Sequence, residues 1–298
     1  MEVHKFGGGI LSTASAIKRL PGILNKIEHK EHVVVVVSAF GKMTNLLEKL
    51  VNSAFREENS ENQLYLLNEV REFHLKIINE LFEEKAQETF EKVETVFSSL
   101  KKEIKYKSSY PYDKFYDQVV CYGEILSLWV ISAYLSHIGF GNEALDARDY
   151  IKTDSVFRSA VVDYEKTKTL FEKKMENTGK PTFFLIQGFL GSDNENFSTT
   201  LGREGSDYTA GLIGNIMNVK KVVLWKDVPG VMDMNPKNPG GEKAKLISKL
   251  SYEEFEKLLE ENAKGLVHPK TLNVVKNKKI RIQVRPYDDL DKEGTIIE

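Results

Sequence analysis

The sequence predicts an α/β protein with a mostly parallel central sheet between helical layers, and three observations predict it. Five consecutive valines, Val33–Val37, form an apolar run that does not alternate. Such a run suits a strand buried on both faces, as in a parallel sheet covered by helices. Strand-like and helix-like segments alternate on either side of a long helical stretch, which is the pattern of βαβ units. Several predicted strands also run directly into glycine, which turns the chain at a strand end.

Taken in order, Val3–Phe6 ("VHKF") is a short strand ending in Gly7, Gly8 and Gly9. A helical pattern follows from about Ser12, and Pro21 is predicted to kink or end it, because proline lacks an N–H and crowds the preceding turn. Val33–Val37 is the plainest strand, and "GKMTNLLEKL" leads out of it into a second helix. From about Glu58 to Leu135 the chain reads as helical. Leu67, Val70, Phe73, Ile77 and Leu81 keep a spacing of three to four, as do Phe90, Val93, Phe97, Leu100 and Ile104. These segments are read as an antiparallel helical insertion, about 58–112, and not as a separate domain. "SSYPYD", Ser108–Asp113, interrupts the pattern before a further helix through "CYGEILSLWVISAYL". Strands return in "TFFLIQGFLG", "KKVVLWKDVPG" and "IRIQVRP". "HPKTLNVV" starts a helix with Pro269 in its first turn, where its missing N–H would be unpaired anyway.

Composition narrows the class. The 298 residues are 41% hydrophobic, enough for a large core in one or two domains. Lys and Arg number 42 against 44 Asp and Glu, so no basic excess points to a nucleic-acid partner. Cys121 is the single cysteine and cannot form an internal disulfide, which fits a reducing compartment. The opening "MEVHKFGGGI" lacks the pattern of a signal peptide, and no apolar run approaches the ~20 residues of a membrane span. A soluble, cytoplasmic protein without a membrane partner is the expectation.

The chemistry concentrates at strand ends. "HKFGGGILS", "VVVSAFGKMTN" and "LIQGFLGS" are strand-to-glycine junctions. Parallel sheets place ligands at the carboxyl ends of their strands. Glycine there lets backbone N–H groups approach an anion, and a helix N-terminus adds partial positive charge. Together the junctions suggest a phosphate cradle, although each alone reads better as a simple turn. None has the G-x-x-x-x-G-K-[ST] spacing of a P-loop or the G-x-G-x-x-G spacing of a dinucleotide site. Lys5, beside the first junction, is placed to neutralise a transferring phosphoryl group. In "TTLGREGSDYTAG", Thr199–Gly211, Arg203 is a candidate carboxylate fork, and Ser206 and Asp207 stand at a helix start where either could cap.

In combination these segments resemble the aspartate kinases of the amino-acid kinase superfamily. The resemblance rests on "KFGG" (Lys5–Gly8), "SAFGKMTN" (Ser38–Asn45), "GEILS" (Gly123–Ser127), "QGFLG" (Gln187–Gly191), "TTLGREGSDYTA" (Thr199–Ala210), "DVPG" (Asp227–Gly230) and "HPKTL" (His268–Leu272), in family order across nearly the whole chain. It implies a three-layer sandwich forming one kinase domain over 1–298, its first part mainly binding the amino acid and about 180–298 the nucleotide. It implies MgATP and L-aspartate as substrates and 4-phospho-L-aspartate, at the head of the aspartate-derived amino-acid pathway, as product. Lys5 and Asp207 would be catalytic. Ser38, Thr44, Glu124, Arg203 and Ser206 would bind the amino acid. Lys5, Gly7, Gly8, Gly202, Lys226, Asp227, Met232, Lys237 and Lys264 would serve the nucleotide and its phosphates, with Mg²⁺ carried by ATP and no metal held by the protein alone.

An aspartate carboxyl, with an ordinary pKa of about 4, is already ionised at neutral pH. Such a reaction needs no general base; it needs cations and backbone donors to overcome repulsion between two anions. Departures from the pattern cluster toward the nucleotide: Gly9 and Lys226 stand where threonine is usual, Met232 for tyrosine, and Asn235 and Lys237 for Asp and Arg. Glu204 replaces a glycine, and Lys264 stands one residue before the usual lysine position, held here by Gly265. No ACT regulatory region is expected within 298 residues, and a dimer would use the kinase domain itself. His74, His268 and Cys121 are expected to be structural. The alternatives are a sister kinase acting on glutamate, acetylglutamate, carbamate or UMP, and a degenerate paralogue that binds aspartate or partners another kinase subunit.

Overall fold

Val33–Val37 forms strand β2, and all five of its side chains are buried. A strand with no exposed face must lie inside a sheet covered on both sides, and the rest of the fold is built around it. The computed structural model describes every residue except 28–30, 57–59, 83–86, 203, 235–237, 239–240, 262–265 and 268. Strand β1, Glu2–Phe6, pairs in parallel with β2 on one side and with β7, Lys221–Lys226, on the other. Strand β4, Phe183–Gln187, pairs in parallel with the far edge of β2, and β3, Glu143–Leu145, pairs with β4. Beyond β7 come β9, Arg281–Pro286, then β10, Thr295–Ile297, then β8, Lys249–Leu250. The sheet of the described residues therefore has eight strands in the order β3-β4-β2-β1-β7-β9-β10-β8. Only the β9–β10 pair is antiparallel. Strands β5, Leu190–Ser192, and β6, Ser198–Thr200, form a separate antiparallel pair.

Helices cover the sheet as the sequence predicts. Helix α1, Ala14–Asn25, begins one residue after Thr13, whose hydroxyl accepts from the Ala16 amide. It does not end at Pro21 but continues four residues beyond it. Ile17, Leu20, Ile23 and Leu24 are buried along that helix, so its packed face outweighs the single hydrogen bond that proline removes.

Helix α2 spans Met43–Phe55. The predicted helical stretch resolves into α3, Ser60–Phe82, and α4, Gln87–Lys105, followed by a 3-10 turn at Lys107–Ser109. "SSYPYD" breaks the pattern as expected, and Pro111 precedes α5, Tyr112–Val120. The segment after it is two helices, with α6 running from Tyr122 to His137. Together, Tyr112–His137 is long and apolar enough by composition to cross a membrane, a stretch that counting uninterrupted apolar residues overlooked. In this fold 72% of its most apolar window is buried within the protein, where α6 packs on β2, β3 and β4. His74 on α3 is fully buried among Phe40, Phe73 and Phe97, and its Nδ1 lies 2.7 Å from the Val70 carbonyl. Burial lowers its pKa to about 4, so it serves as an uncharged packing group.

The remaining helices are α7, Ala147–Tyr150, α8, Tyr164–Glu176, α9, Gly205–Ile216, α10, Tyr252–Glu261, and α11, Pro269–Lys276. Helix α9 packs on β1, β2 and β7. Its N-terminus thus reaches the carboxyl ends of the central strands.

Candidate active site

Strands β4, β2, β1 and β7 are adjacent and parallel, so their carboxyl ends share one edge of the sheet. The glycine junctions predicted as a cradle leave β1, β2 and β4 at that edge. Gly8 shows why glycine is required: a Cβ there would lie 2.2 Å from the Ala39 carbonyl oxygen. That contact seats the β1 loop against the β2 loop, and the Gly41 amide donates to the Gly8 carbonyl at 2.8 Å.

A cleft of about 470 Å³ opens over these loops. Its walls include Lys5 on β1, Gly8 after it, Ser38 after β2, Thr44 on α2, Glu124 on α6, and Gly202, Ser206, Asp207 and Lys226. The first turns of α2, α6 and α9 all contribute to it, and helix N-termini favour anions. Nine of the predicted site residues therefore meet in one place. Gly7 does not line the cleft, yet a Cβ on it would sit 3.3 Å from Lys5 Nζ. Asp227 is exposed just past β7, and Met232 makes a backbone bridge with Leu246; neither lines the cleft. Both follow the point where the chain leaves the strand edge. Arg203, Lys237, Lys264 and His268 lie outside the described residues.

At one part of the cleft, Asp207 joins two ammonium groups. Lys5 Nζ lies 2.6 Å from its Oδ1 and Lys226 Nζ donates to its Oδ2 at 2.9 Å. The Asp207 side chain is only 3% exposed. Burial alone would push this carboxyl upward, but Lys5 and Lys226 overcome that and hold it at about 2. Burial lowers the Lys5 pKa, Asp207 opposes the change, and the neighbouring Lys226 adds to it. Neither Ser206 nor Asp207 caps α9, contrary to the sequence reading. The cap position is Glu204, whose side chain makes no cap hydrogen bond, and Ser206 and Asp207 lie inside the first turn. That leaves the Asp207 carboxylate free to take both lysines.

Glu124, in the first turn of α6, supplies a different electrostatic environment. It is 3% exposed, and its Oε2 has no hydrogen-bond partner. Burial pushes its pKa up to about 8, partly offset by the amides of Ala39 and Glu124 and by the Thr44 hydroxyl. A buried carboxyl with one oxygen left unpaired on a cleft wall is a receptor for a cation.

Sequence reasoning missed Glu48, Tyr116, Arg158 and Phe189, which also line the cleft. Glu48 was within reach of a simple rule, since it stands four residues after Thr44 on α2 and so shares its face. Arg158 had no comparable signal. Its amide donates to Asp117 Oδ2 at 2.9 Å, its guanidinium lies 4.6 Å over the Tyr116 ring, and its Nη1 contacts Asp113 Oδ1 at 3.1 Å. Arg158, Phe189 and Glu204 have φ of 65°, 70° and 55°. Three of the six described non-glycine residues with left-handed backbone thus line the cleft, and such backbone is common at functional sites. Among the described residues no group of three or more His, Cys, Asp or Glu assembles around a possible metal.

Comparison with known proteins gives this fold, with its lysines and aspartate at the strand edge, a family. The model of the amino acid kinase family matches residues 1–286, and the chain belongs to that family. It is 32% identical over 304 residues to an aspartokinase of Chlamydia trachomatis, covering 99% of this chain and 64% of that protein. It is 29% identical over 300 residues to the chloroplastic bifunctional aspartokinase/homoserine dehydrogenase 1 of Zea mays, covering 99% of this chain and 32% of that protein. The chain thus spans about a third of the plant relative's length and under two thirds of the chlamydial one's. The crystal structure of E. coli aspartokinase III in complex with aspartate and ADP superposes with a TM-score of 0.88 and 25% identity, over all of this chain and 64% of that one. Uridylate kinase of Archaeoglobus fulgidus shares the fold with a TM-score of 0.53.

Proposed function

We propose that the chain transfers the terminal phosphoryl group of ATP to the side-chain carboxylate of L-aspartate, giving 4-phospho-L-aspartate and ADP. The observation that carries this reading is the pairing, in one cleft, of a two-lysine centre on Asp207 with the buried carboxyl of Glu124, whose Oε2 has no hydrogen-bond partner. The similarity to an aspartokinase structure holding aspartate and ADP supports it.

The acceptor carboxylate oxygen attacks the terminal phosphorus, and the bond from that phosphorus to the oxygen kept by ADP breaks. No proton needs to move. Lys5 neutralises the transferring group, and the loop held close by Gly8 presents backbone to the phosphates. Asp207 fixes the lysine heads and so reduces the reorganisation required at the transition state. Glu124 receives the substrate ammonium, with Ser38, Thr44 and Ser206 on the walls around it. Arg203 is assigned to a substrate carboxylate on the strength of its place in the motif. Mg²⁺ bound to the phosphates would supply further charge neutralisation. Because both oxygens of Asp207 are engaged by ammonium groups, the donor set suits a metal carried by the nucleotide.

The test is ADP release by the purified chain with MgATP, with and without L-aspartate, while hydroxylamine traps any acyl phosphate. Aspartate-dependent turnover with a trapped hydroxamate is the expected result. Turnover with L-glutamate or UMP in place of aspartate would overturn the acceptor assignment.

A further inference from the structure

We propose that Arg158 is a specificity residue of the acceptor site, its guanidinium holding the carboxylate of L-aspartate that does not react. The inference rests on the kinase reading above and adds to it a residue that none of the sequence motifs carries.

Among the described residues three basic side chains line the cleft: Lys5, Lys226 and Arg158. Both lysines end on Asp207. Arg158 belongs to a different neighbourhood. Its charge is influenced chiefly by Asp113, Tyr112 and Tyr116, and that of Lys5 by Asp207, Lys226 and Glu204. L-Aspartate carries two carboxylates, and only one of them faces the transferring phosphorus. The other requires a cation outside the lysine pair.

The backbone fastens Arg158 where such a group is needed. Its amide and the Thr200 amide donate to the same oxygen of Asp117, at 2.9 and 2.8 Å. The Ala160 amide donates to the Thr200 carbonyl at 3.0 Å. A Cβ built on Gly202 would lie 3.7 Å from the Arg158 carbonyl oxygen. Arg158 is thus tied to the segment that leads through Gly202 into Arg203, the residue whose place in the motif assigns it to a substrate carboxylate.

The side chain is oriented but not saturated. The guanidinium lies 4.6 Å over the ring of Tyr116, which also lines the cleft. It has five N–H donors, and among the described residues its one carboxylate partner is Asp113, 3.1 Å from Nη1. The two side chains of that pair are 43% and 59% exposed, so the pair is weak and competes poorly with a bound ligand. The remaining donors form the planar edge that matches a carboxylate in a bidentate fork.

The experiment compares the wild-type chain with Arg158→Gly and Arg158→Lys. Glycine adopts the φ of 65° freely, so Arg158→Gly removes the side chain without disturbing that turn. Calorimetry reads binding of L-aspartate, of L-aspartic acid α-amide and of ADP, and steady-state kinetics reads KM for aspartate and for ATP. Arg158→Gly should weaken aspartate by about tenfold or more, the value of one charge-assisted hydrogen bond. The α-amide, which is uncharged at that group, should bind nearly as before, so discrimination between the two ligands shrinks. KM for aspartate should rise while KM for ATP and the affinity for ADP stay at their wild-type values, which also shows the fold intact. Arg158→Lys should recover part of the loss, because the charge returns without the fork.

Wild-type aspartate affinity in Arg158→Gly would overturn the proposal and leave the kinase reading standing. An equal loss for aspartate and its α-amide would also overturn it, since the side chain would then act through packing. So would a loss of ADP affinity as large as that for aspartate. A wild-type chain that binds ADP but no aspartate would overturn the acceptor reading and this proposal together.

Discussion

Glu124 and Asp207 are both buried carboxyls, and their surroundings drive them in opposite directions. Asp207 is held at about 2 by its lysines, so its stabilising contribution is present above pH 4 and lost as pH falls toward 2. Glu124 is pushed up to about 8. The unfolded chain releases this proton near the ordinary value of about 4, whereas the fold retains it to about 8, so stability declines as pH rises between those limits. A bound ammonium would reverse that preference and expel the proton. Aspartate binding at pH 7 should therefore release roughly one proton, measured from how the calorimetric enthalpy varies with buffer ionisation heat. In Glu124→Gln the release should vanish and KM for aspartate should rise. Equal proton release by both proteins would remove Glu124 from the ammonium site.

Glu204 invites a simpler test. At φ 55° it occupies backbone that disfavours a side chain. Glu204→Gly removes that strain but gives the unfolded chain more freedom. A net gain of about 0.5–1 kcal/mol in urea unfolding is the expected balance; a loss would show that the Glu204 side chain contributes more than its backbone costs. Lys5, Glu124, Ser206 and Asp207 were legible as residues because short motifs carry them. Arg158 and Tyr116 were not, because they reach the cleft through contacts between distant segments, while Phe189 lies inside the "QGFLG" motif and was not singled out.

At the scale of elements, Asp117 on α5 fastens two residues of the cleft wall. It accepts from the Arg158 amide at 2.9 Å, the Thr200 amide at 2.8 Å and the Thr200 hydroxyl at 2.7 Å. One carboxylate thus joins α5, the end of β6 and the segment around Arg158. Burial pushes it up to about 6, against the pull of those hydrogen bonds. Asp117→Ala should cost about 3 kcal/mol in chemical unfolding, because it leaves buried N–H groups unpaired. It should raise KM for aspartate more than KM for ATP, since Thr200 and Arg158 line the cleft and neither belongs to the glycine junctions or the lysine pair assigned to phosphate. Equal changes in both would argue for a global packing defect.

Element type was readable where a period was long, as in α3 and α4, or where an apolar run was unbroken, as in the valine strand. Strands β5 and β6 have three residues each, too short for any period to register. Pro21 misled for a related reason, since its local cost was visible while the burial of Ile17, Leu20 and Leu24 against other parts of the chain was not.

At the scale of the whole molecule, the strand order explains why the site could be anticipated only in pieces. The loops after β1, β2 and β4 could be recognised separately, but their adjacency, and the insertion of β1 between β2 and β7, belong to the sheet. That insertion governs how the protein must come into being. The helices from Ser60 to His137 make many contacts with one another and can form early, whereas the β1–β7 ladder closes a loop of most of the chain. Distant pairings form slowly because their loop entropy comes first. In refolding from urea, far-UV helicity should return before nucleotide binding, with ADP affinity appearing only as β7 docks. Simultaneous recovery of both signals would contradict that order. A ribosome-bound chain not yet extended to Lys221 would already contain Glu124, Thr44 and Asp207. It would lack the strand that brings Lys226 to Asp207, so a growing polypeptide would acquire its acceptor pocket before it could complete the charge cluster that handles phosphate.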